Sequence, residues 1–325
     1  MKKIISSLLL ISCFGVNAQY NSNEPLAHTF SIVARDPKTG EMAVAVQSHW
    51  FSVGSVVSWG EAGVGVVATQ SFINKSFGIR GLELLKQGKS AQEALDILLK
   101  DDNGRDFRQV GIVDVQGRVA AFTGKSCIAE ASHYAGDGFS VQANMMLNNK
   151  VVPAMEKAWK EYATLPLAER VMTVIKAAQQ AGGDIRGKQS AAMLVVAAKA
   201  SNEPWNDRKI DLRVDDSNDP VAELERLLKV FRAYEHMNLG DLYVEKNEMD
   251  LAMNEYHAAM KMFPENLEMK YWTAITLANS KNIKEASKML QEIYRKDANW
   301  RQLTTRLRPV GLLNVSDEEL KELSK

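Results

Sequence analysis

The sequence predicts an α+β protein: a four-layer αββα sandwich followed by an all-α helical domain. Three observations carry this. Up to about residue 219 the strand and helix patterns come in groups (strands, two helices, strands, two helices, strands). A doubly wound parallel sheet would alternate them singly, whereas antiparallel sheets covered by paired helices accommodate the grouping. Beyond Asp219-Pro220 the β pattern stops and helical periodicity takes over. Finally, 325 residues that are 46% hydrophobic and 25% charged can fill the cores of two domains. Strand order cannot be read from one sequence, so other α+β packings stay open at this point.

Taken in order, the chain begins with Lys2 and Lys3, the apolar run "IISSLLLISCFGV", and small residues ending at Ala18. This is the pattern of an export signal over 1–18, which puts the protein in the periplasm or outside the cell. The run falls short of the roughly 20 residues that a bilayer span needs, so no stable membrane span is expected. A lipoprotein signal ending at Cys13 has too short an apolar core before it. Cleavage after Ala18 leaves Cys127 as the only cysteine, so no internal disulfide can form, and leaves 19–28 as a propeptide or linker. With His133 nearby in sequence, Cys127 could be a nucleophile, but a lone cysteine beside glycine and serine reads better as a small packed residue.

From Thr29, "TFSIVARD" and "GEMAVAVQS" alternate around a turn at Asp36, Pro37 and Gly40, which predicts a hairpin. "GVGVVATQS" is a third strand, buried on both faces, and the opening is read as all strand. "GIRGLELLKQG" and "AQEALDILLK" are helices, the second started by a Ser90/Glu93 capping box. "RQVGIVDVQGRVAAFTG" is a hairpin turning at Asp114 to Gly117, and "GFSVQANMML" a further strand. "VVPAMEKAWKEYA" and "LAERVMTVIKAAQQAGG" are helices, and "QSAAMLVVAAK" and "KIDLRVDD" return to strand. These elements make up a domain over 29–219.

Residues 220–325 form the second domain. His236, Leu239, Gly240, Tyr243, Ala252, Tyr256, Ala259 and Pro264 fall in the register of a tetratricopeptide repeat, and Ala274, Leu277, Ala286 and Leu290 continue a degenerate second one. Small residues stand where helices approach closely, and aromatics fill the gaps between them. Two repeats are fewer than the roughly three needed for independent stability. The repeats are therefore expected to lean on the preceding domain or on a capping helix near Trp300 to Leu307, and their apolar face could equally serve a protein partner or a homodimer contact.

Charge excludes one class of partner. Forty basic side chains balance forty acidic ones, and no basic block is interleaved with aromatics, so nucleic acid is not expected. The five histidines are scattered without metal-ligand spacing, no P-loop or dinucleotide motif occurs, and no Gly-x-Ser-x-Gly elbow is present; neither metal nor cofactor is expected. What remains is a set of polar residues at strand ends: Ser48, His49, Thr69, Gln70, Asn74, Gln142 and Asn144. The loop "GGDIRGKQS" adds Asp184, Arg186, Gln189 and Ser190. Each alone has a structural reading, in turns, as β-edge residues, or as an Asp184–Arg186 ion pair.

Together with Thr29, the stretches "TFSIVARDPKTGEMAVAVQSHWFSVGSVVSW", "GVGVVATQSF", "RQVGIVDVQGRVAAFTG" and "GGDIRGKQSAAMLVV" resemble the bacterial domain-of-unknown-function 1028 family, grouped with N-terminal-nucleophile hydrolases. The resemblance implies the αββα fold and amide-bond hydrolysis, with Thr29 as nucleophile and its own freed α-amine, of ordinary pKa about 7.7 to 8.0, as base. It also implies a tetrahedral oxyanion, for which Asn144 or a backbone NH near Thr69 and Gln70 would be the donor, and an amine oriented by Asp184 or Ser190. Ser48, His49, Thr69, Gln70, Asn74, Gln142, Arg186 and Gln189 would contact a small-molecule or peptide amide substrate.

The sequence departs from the simplest family pattern in two places. Twenty-eight residues precede Thr29, so after signal cleavage a second cut at His28-Thr29 is required, which the threonine hydroxyl could make itself. Lys75 stands where a proline is expected after Asn74. The first functional reading is an exported amidohydrolase. The second is a non-enzymatic periplasmic binding or scaffold protein acting through its repeats, and it gains if 19–28 is retained.

Overall fold

The structure is a computed structural model, and it describes residues 26–325. The segment 1–18 expected to be an export signal, and residues 19–25, lie outside the described residues. The chain divides into two compact units between Leu224 and Glu225.

The first unit holds β1 (Leu26–Ala27), β2 (Thr29–Arg35), β3 (Met42–Ser48), α1 (Gly54–Val57), β4 (Ser58–Glu61), β5 (Gly65–Phe72), α2 (Ser76–Lys86), α3 (Ala91–Lys100), β6 (Arg108–Asp114), β7 (Val119–Thr123), β8 (Ser132–Gly136), β9 (Phe139–Ala143), α4 (Val151–Glu161), α5 (Leu167–Gln180), β10 (Ser190–Val196) and β11 (Arg208–Val214). They form two antiparallel sheets. One runs β1-β5-β6-β7, with β4 also on β5; the other runs β11-β10-β3-β2-β9-β8. Helices α2 and α3 pack on β4 to β7, α4 and α5 pack on β2, β3, β8 and β9, and the sheets meet through β2 against β5 and β6 and through β6 against β9.

Local chemistry explains the boundaries. The Asp36 carboxylate accepts from the Lys38 and Thr39 amides at 2.7 and 3.1 Å, which closes the β2–β3 turn. Ser90 and Glu93 make the capping box reciprocally. Strands β2, β3, β5 and β6 are buried along nearly their whole length, because a sheet or helix pair covers each face.

The period-2 alternation of strand side chains then sorts the space between the sheets. At one end it is apolar, with Val33, Val44, Val46, Val66, Ala68, Val113 and Leu194 in one cluster. Two or four residues along the same faces stand Thr29, Ser31, Ser48, Gln70 and Ser190, all fully buried. The polar end of this layer is where the candidate site lies.

Two features differ from the sequence expectation. The opening is not all strand: α1 makes a single helical turn between β3 and β4, closed by the Val56 and Val57 amides on the Val53 carbonyl at 3.2 and 3.0 Å, and a Cβ on Gly54 would stand 2.4 Å from the Ala192 methyl of β10. The short, half-buried β4 and the largely exposed β8 lack the apolar alternation that marks a strand in sequence.

The second unit, after the start of α6 (Pro220–Glu245), contains α7 (Met249–Met262), α8 (Leu267–Asn279), α9 (Ile283–Lys296), α10 (Asn299–Leu307) and α11 (Asp317–Leu323). Gly240 faces the Tyr256 ring, where a Cβ would stand 2.5 Å away. Ala252, Tyr256 and Ala259 are fully buried, as are Ala274, Ala286 and Leu290. Tyr271 and Tyr294 both hydrogen bond to Thr304 of α10, at 3.0 and 2.7 Å, and α11 packs on α9. Burial pushes the Tyr271 phenol up to about 12.

Candidate functional site

The site is built where the chain crosses from one sheet to the other. Leu26 and Ala27 pair with Phe72 and Ser71 of β5, and after the single residue His28, Thr29 opens β2 in the second sheet, opposite Ser48 of β3. Ser48 in turn stands opposite Ser190 of β10, so three hydroxyl side chains form a row across adjacent strands. Thr29 is wholly buried, and its Oγ1 donates to the Ala27 carbonyl at 2.8 Å. The Thr29 carbonyl accepts from the Asn144 amide at 3.1 Å and the Gln70 side chain at 3.2 Å.

His28, between the two strands, is the most tightly held residue of the crossing. Its carbonyl oxygen accepts from Ser48 Oγ at 2.6 Å and from Arg186 Nη2 at 2.9 Å. Arg186 is aimed by Asp184, whose carboxylate accepts from its Nη2 at 2.7 Å and its Nε at 3.1 Å. The Asp184 side chain is itself sealed from solvent and also accepts from the backbone of Arg186 and His49, at 2.9 and 3.2 Å. Two parallel N–H···O bonds and two backbone donors hold the Asp184 carboxylate, so the guanidinium is aimed by its fork geometry.

The His28 ring is equally fixed. Its Nδ1 lies 2.8 Å from Asn144 Oδ1, and its edge meets the Phe72 ring at a centroid distance of 5.7 Å. Burial pulls the imidazole pKa below its usual value, and Arg186 adds to the effect against the opposing Asn144 bond and Asp184 charge. A neutral ring then donates from Nδ1 to Asn144.

Behind the crossing lies a buried polar network that joins the sheets. Ser31 Oγ donates to Gln70 Oε1 at 2.6 Å and accepts from Gln142 Nε2 at 2.6 Å. Gln109 Oε1 accepts from Gln70 Nε2 at 2.7 Å and from Asn144 Nδ2 at 2.8 Å. Ser140 Oγ donates to Gln142 Oε1 at 2.8 Å. Satisfied networks of this kind fix one arrangement of the strands around them. Ser31, Gln109 and Ser140 were missed by sequence reasoning; their signal was a polar side chain inside an otherwise apolar strand.

The remaining sequence-derived residues divide between the crossing and its supports. His49 contributes its backbone amide to Asp184, and its ring Nδ1 lies 3.3 Å from the Lys188 carbonyl. Ser190 Oγ donates to the Trp50 carbonyl and accepts from the Val53 amide, holding the turn after β3. Gln189 bonds Asp216, at 3.2 Å. Asn74 caps the start of α2, accepting from Ser76 N and Oγ, and its carbonyl takes Thr69 Oγ1 at 3.4 Å. Lys75 has φ −59° and ψ −27°, values a proline can also adopt, so its presence does not alter the turn. Gln142 sits within the interior network and not against Thr29 or the His28 carbonyl. Cys127 bonds the Arg108 carbonyl at 3.4 Å, burial raises its thiol pKa, and the hydroxyl that His133 meets is that of Thr123. Among the described residues, no three His, Cys, Asp or Glu side chains converge as a metal would need.

Comparison with known proteins identifies the first unit. Protein SPO2555 from Silicibacter pomeroyi, of the DUF1028 family, has a crystal structure with a TM-score of 0.56 and 30% identity, covering 62% of this chain and 85% of that one. Anbu, the ancestral β-subunit from Yersinia bercovieri, is similar at 11% identity and a TM-score of 0.31, covering 62% of this chain and 96% of that one. No curated protein matches. Residues 29–224, more than half of the chain and beginning at Thr29 itself, match the family of unknown function DUF1028, and the chain belongs to that family.

Proposed function

We propose that the protein is an exported amidohydrolase in which Thr29, freed by cleavage of the His28–Thr29 bond, is the N-terminal nucleophile. In this reading its sheets and helix pairs are the four-layer αββα sandwich of N-terminal-nucleophile hydrolases, and its helical unit is tetratricopeptide-like. The single observation that carries the reading is the pair of donors, Ser48 Oγ and Arg186 Nη2, on the carbonyl oxygen of the bond to be cut.

The chemistry follows from that pair. Thr29 Oγ1 adds to the His28 carbonyl carbon, and the oxygen that becomes an oxyanion already faces a hydroxyl and a guanidinium. The C–N bond breaks, the hydroxyl proton goes to the departing Thr29 nitrogen, and an ester joins His28 to Oγ1. Water splits the ester, leaving a His28 carboxylate and a free Thr29 amine. On a substrate amide the same oxygen attacks, the same donors receive the oxyanion, the α-amine accepts the proton and delivers it to the leaving amine, and water, deprotonated by the α-amine, splits the resulting acyl ester to release the acid and restore the hydroxyl. Asn144, anticipated as an oxyanion donor, faces the Thr29 carbonyl instead, while Ser48 and Arg186, anticipated as substrate contacts, stand at the oxyanion position. Asp184 acts through Arg186.

A β-lactone, which acylates a nucleophilic hydroxyl, tests the assignment. Peptide mapping should locate a single adduct on Thr29 in protein that begins at Thr29; an adduct on another residue contradicts the role. A second reading, a non-enzymatic periplasmic binding or scaffold protein acting through the helical repeats, draws support from the fully paired state of the uncut crossing, in which Thr29, His28 and Asn144 all have partners. It requires that the segment before Thr29 stay attached.

A further inference from the structure

The segment before Thr29 does more than precede it: it occupies a shaped slot. Strand β5 has one edge against β6, and its other edge is covered in two pieces. β4 pairs with Gly65 to Ala68, and β1 pairs with Ser71 and Phe72. Removal of 26–28 leaves the second piece of that edge bare. A bare strand edge is a template for another extended chain. Ser71, one of the two residues of that piece, holds φ 73°, a left-handed conformation that a serine keeps only where its surroundings impose it.

The slot also reads side chains. Ala27 is fully buried, so the position before the carbonyl admits a small residue. The imidazole of His28 fits between the Phe72 ring and Asn144 Oδ1, and burial there disfavours a cation, with Arg186 adding to the effect against the Asn144 bond and the Asp184 charge. The carbonyl that follows meets Ser48 and Arg186.

We propose that the slot filled by residues 26–28 is the acyl-side subsite of the mature protein, taking a peptide amide in extended form with an uncharged hydrogen-bonding aromatic residue, histidine foremost, at the attacked carbonyl and a small residue before it. This rests on the reading of Thr29 as nucleophile for turnover, but not for binding. The peptide adds to β5 as β1 does, its amide C–N bond breaks as described above, and the acid product keeps its new carboxylate against Arg186.

The probe is the acid product itself, acetyl-Leu-Ala-His, titrated into processed protein that begins at Thr29 and compared with acetyl-Leu-Ala-Lys and acetyl-Leu-Ala-Asp. The histidine peptide should bind at least about tenfold more tightly than either, and Phe72→Ala should weaken it about three- to tenfold. Equal affinities, or no binding by the histidine peptide, overturn the subsite. Binding without hydrolysis of the corresponding amide keeps the subsite and removes the amidohydrolase reading; hydrolysis of unrelated amides without this selectivity does the reverse. A mature protein that keeps 26–28 attached has the slot already filled by its own β1 pairing and overturns the proposal.

Discussion

Replacing Ser48 by alanine separates the chemical role of its hydroxyl from its structural one. Ser48 Oγ donates to the His28 carbonyl at 2.6 Å in a fully buried setting. As one of two oxyanion donors, its loss should slow self-cleavage by about 10²- to 10³-fold. As an ordinary buried hydrogen bond it contributes only about 1 kcal/mol, because the carbonyl keeps Arg186 and is not left unpaired. For a domain of this size, that corresponds to a melting shift of about 2–4 °C. The assay is the mass of full-length protein sampled over time after synthesis, with a thermal melt on the same preparation. A slow-cutting, nearly normally stable variant is expected. Wild-type cleavage in Ser48→Ala, in protein that melts as the wild type does, would refute the argument from the carbonyl donors.

Other expectations follow from the same geometry. Asp184→Asn leaves Arg186 without its buried counter-charge, so cleavage should slow and stability fall by roughly 3 kcal/mol, read by mass and by denaturant titration. Uncut protein should lose stability on acidification. The folded-state pKa of His28 is depressed, so its contribution is complete above the unfolded value near 6.5 and declines as pH falls below it; His28→Gln should flatten that part of a melting-temperature profile. Gly240→Ala sets about 1 kcal/mol of helix propensity against a Cβ 2.5 Å from a buried ring whose hydroxyl is bonded to Asp241. The clash should win, with a net loss of about 1–2 kcal/mol in the melt of the helical unit.

Much of the first unit was legible because its strands carry their signals locally. Asp36, Pro37 and Gly40 mark the β2–β3 turn, and Ser90 with Glu93 marks the start of α3. The row Thr29, Ser48 and Ser190 was legible as polar ends of apolar strands, but the registers that bring the three together exist only in the folded sheet. β4 and β8 were missed because pairing with β5 and β9, and not apolar alternation, makes them strands. At the site, sequence could supply the residue types of Asp184 and Arg186 but not their target. That the pair points at the carbonyl of His28, 158 positions away, is decided by the loop after α5 folding back beside β3. The β1 pairing was unreadable for a different reason, since two residues are too few to carry a period.

The central claim is that His28–Thr29 is a bond made to be cut, and the intact mass of the mature protein tests it most directly. The account predicts a chain that begins at Thr29 and a Thr29→Ala variant that retains His28. A wild-type protein that begins at Gln19 in preparations that bind or turn over amides would contradict it.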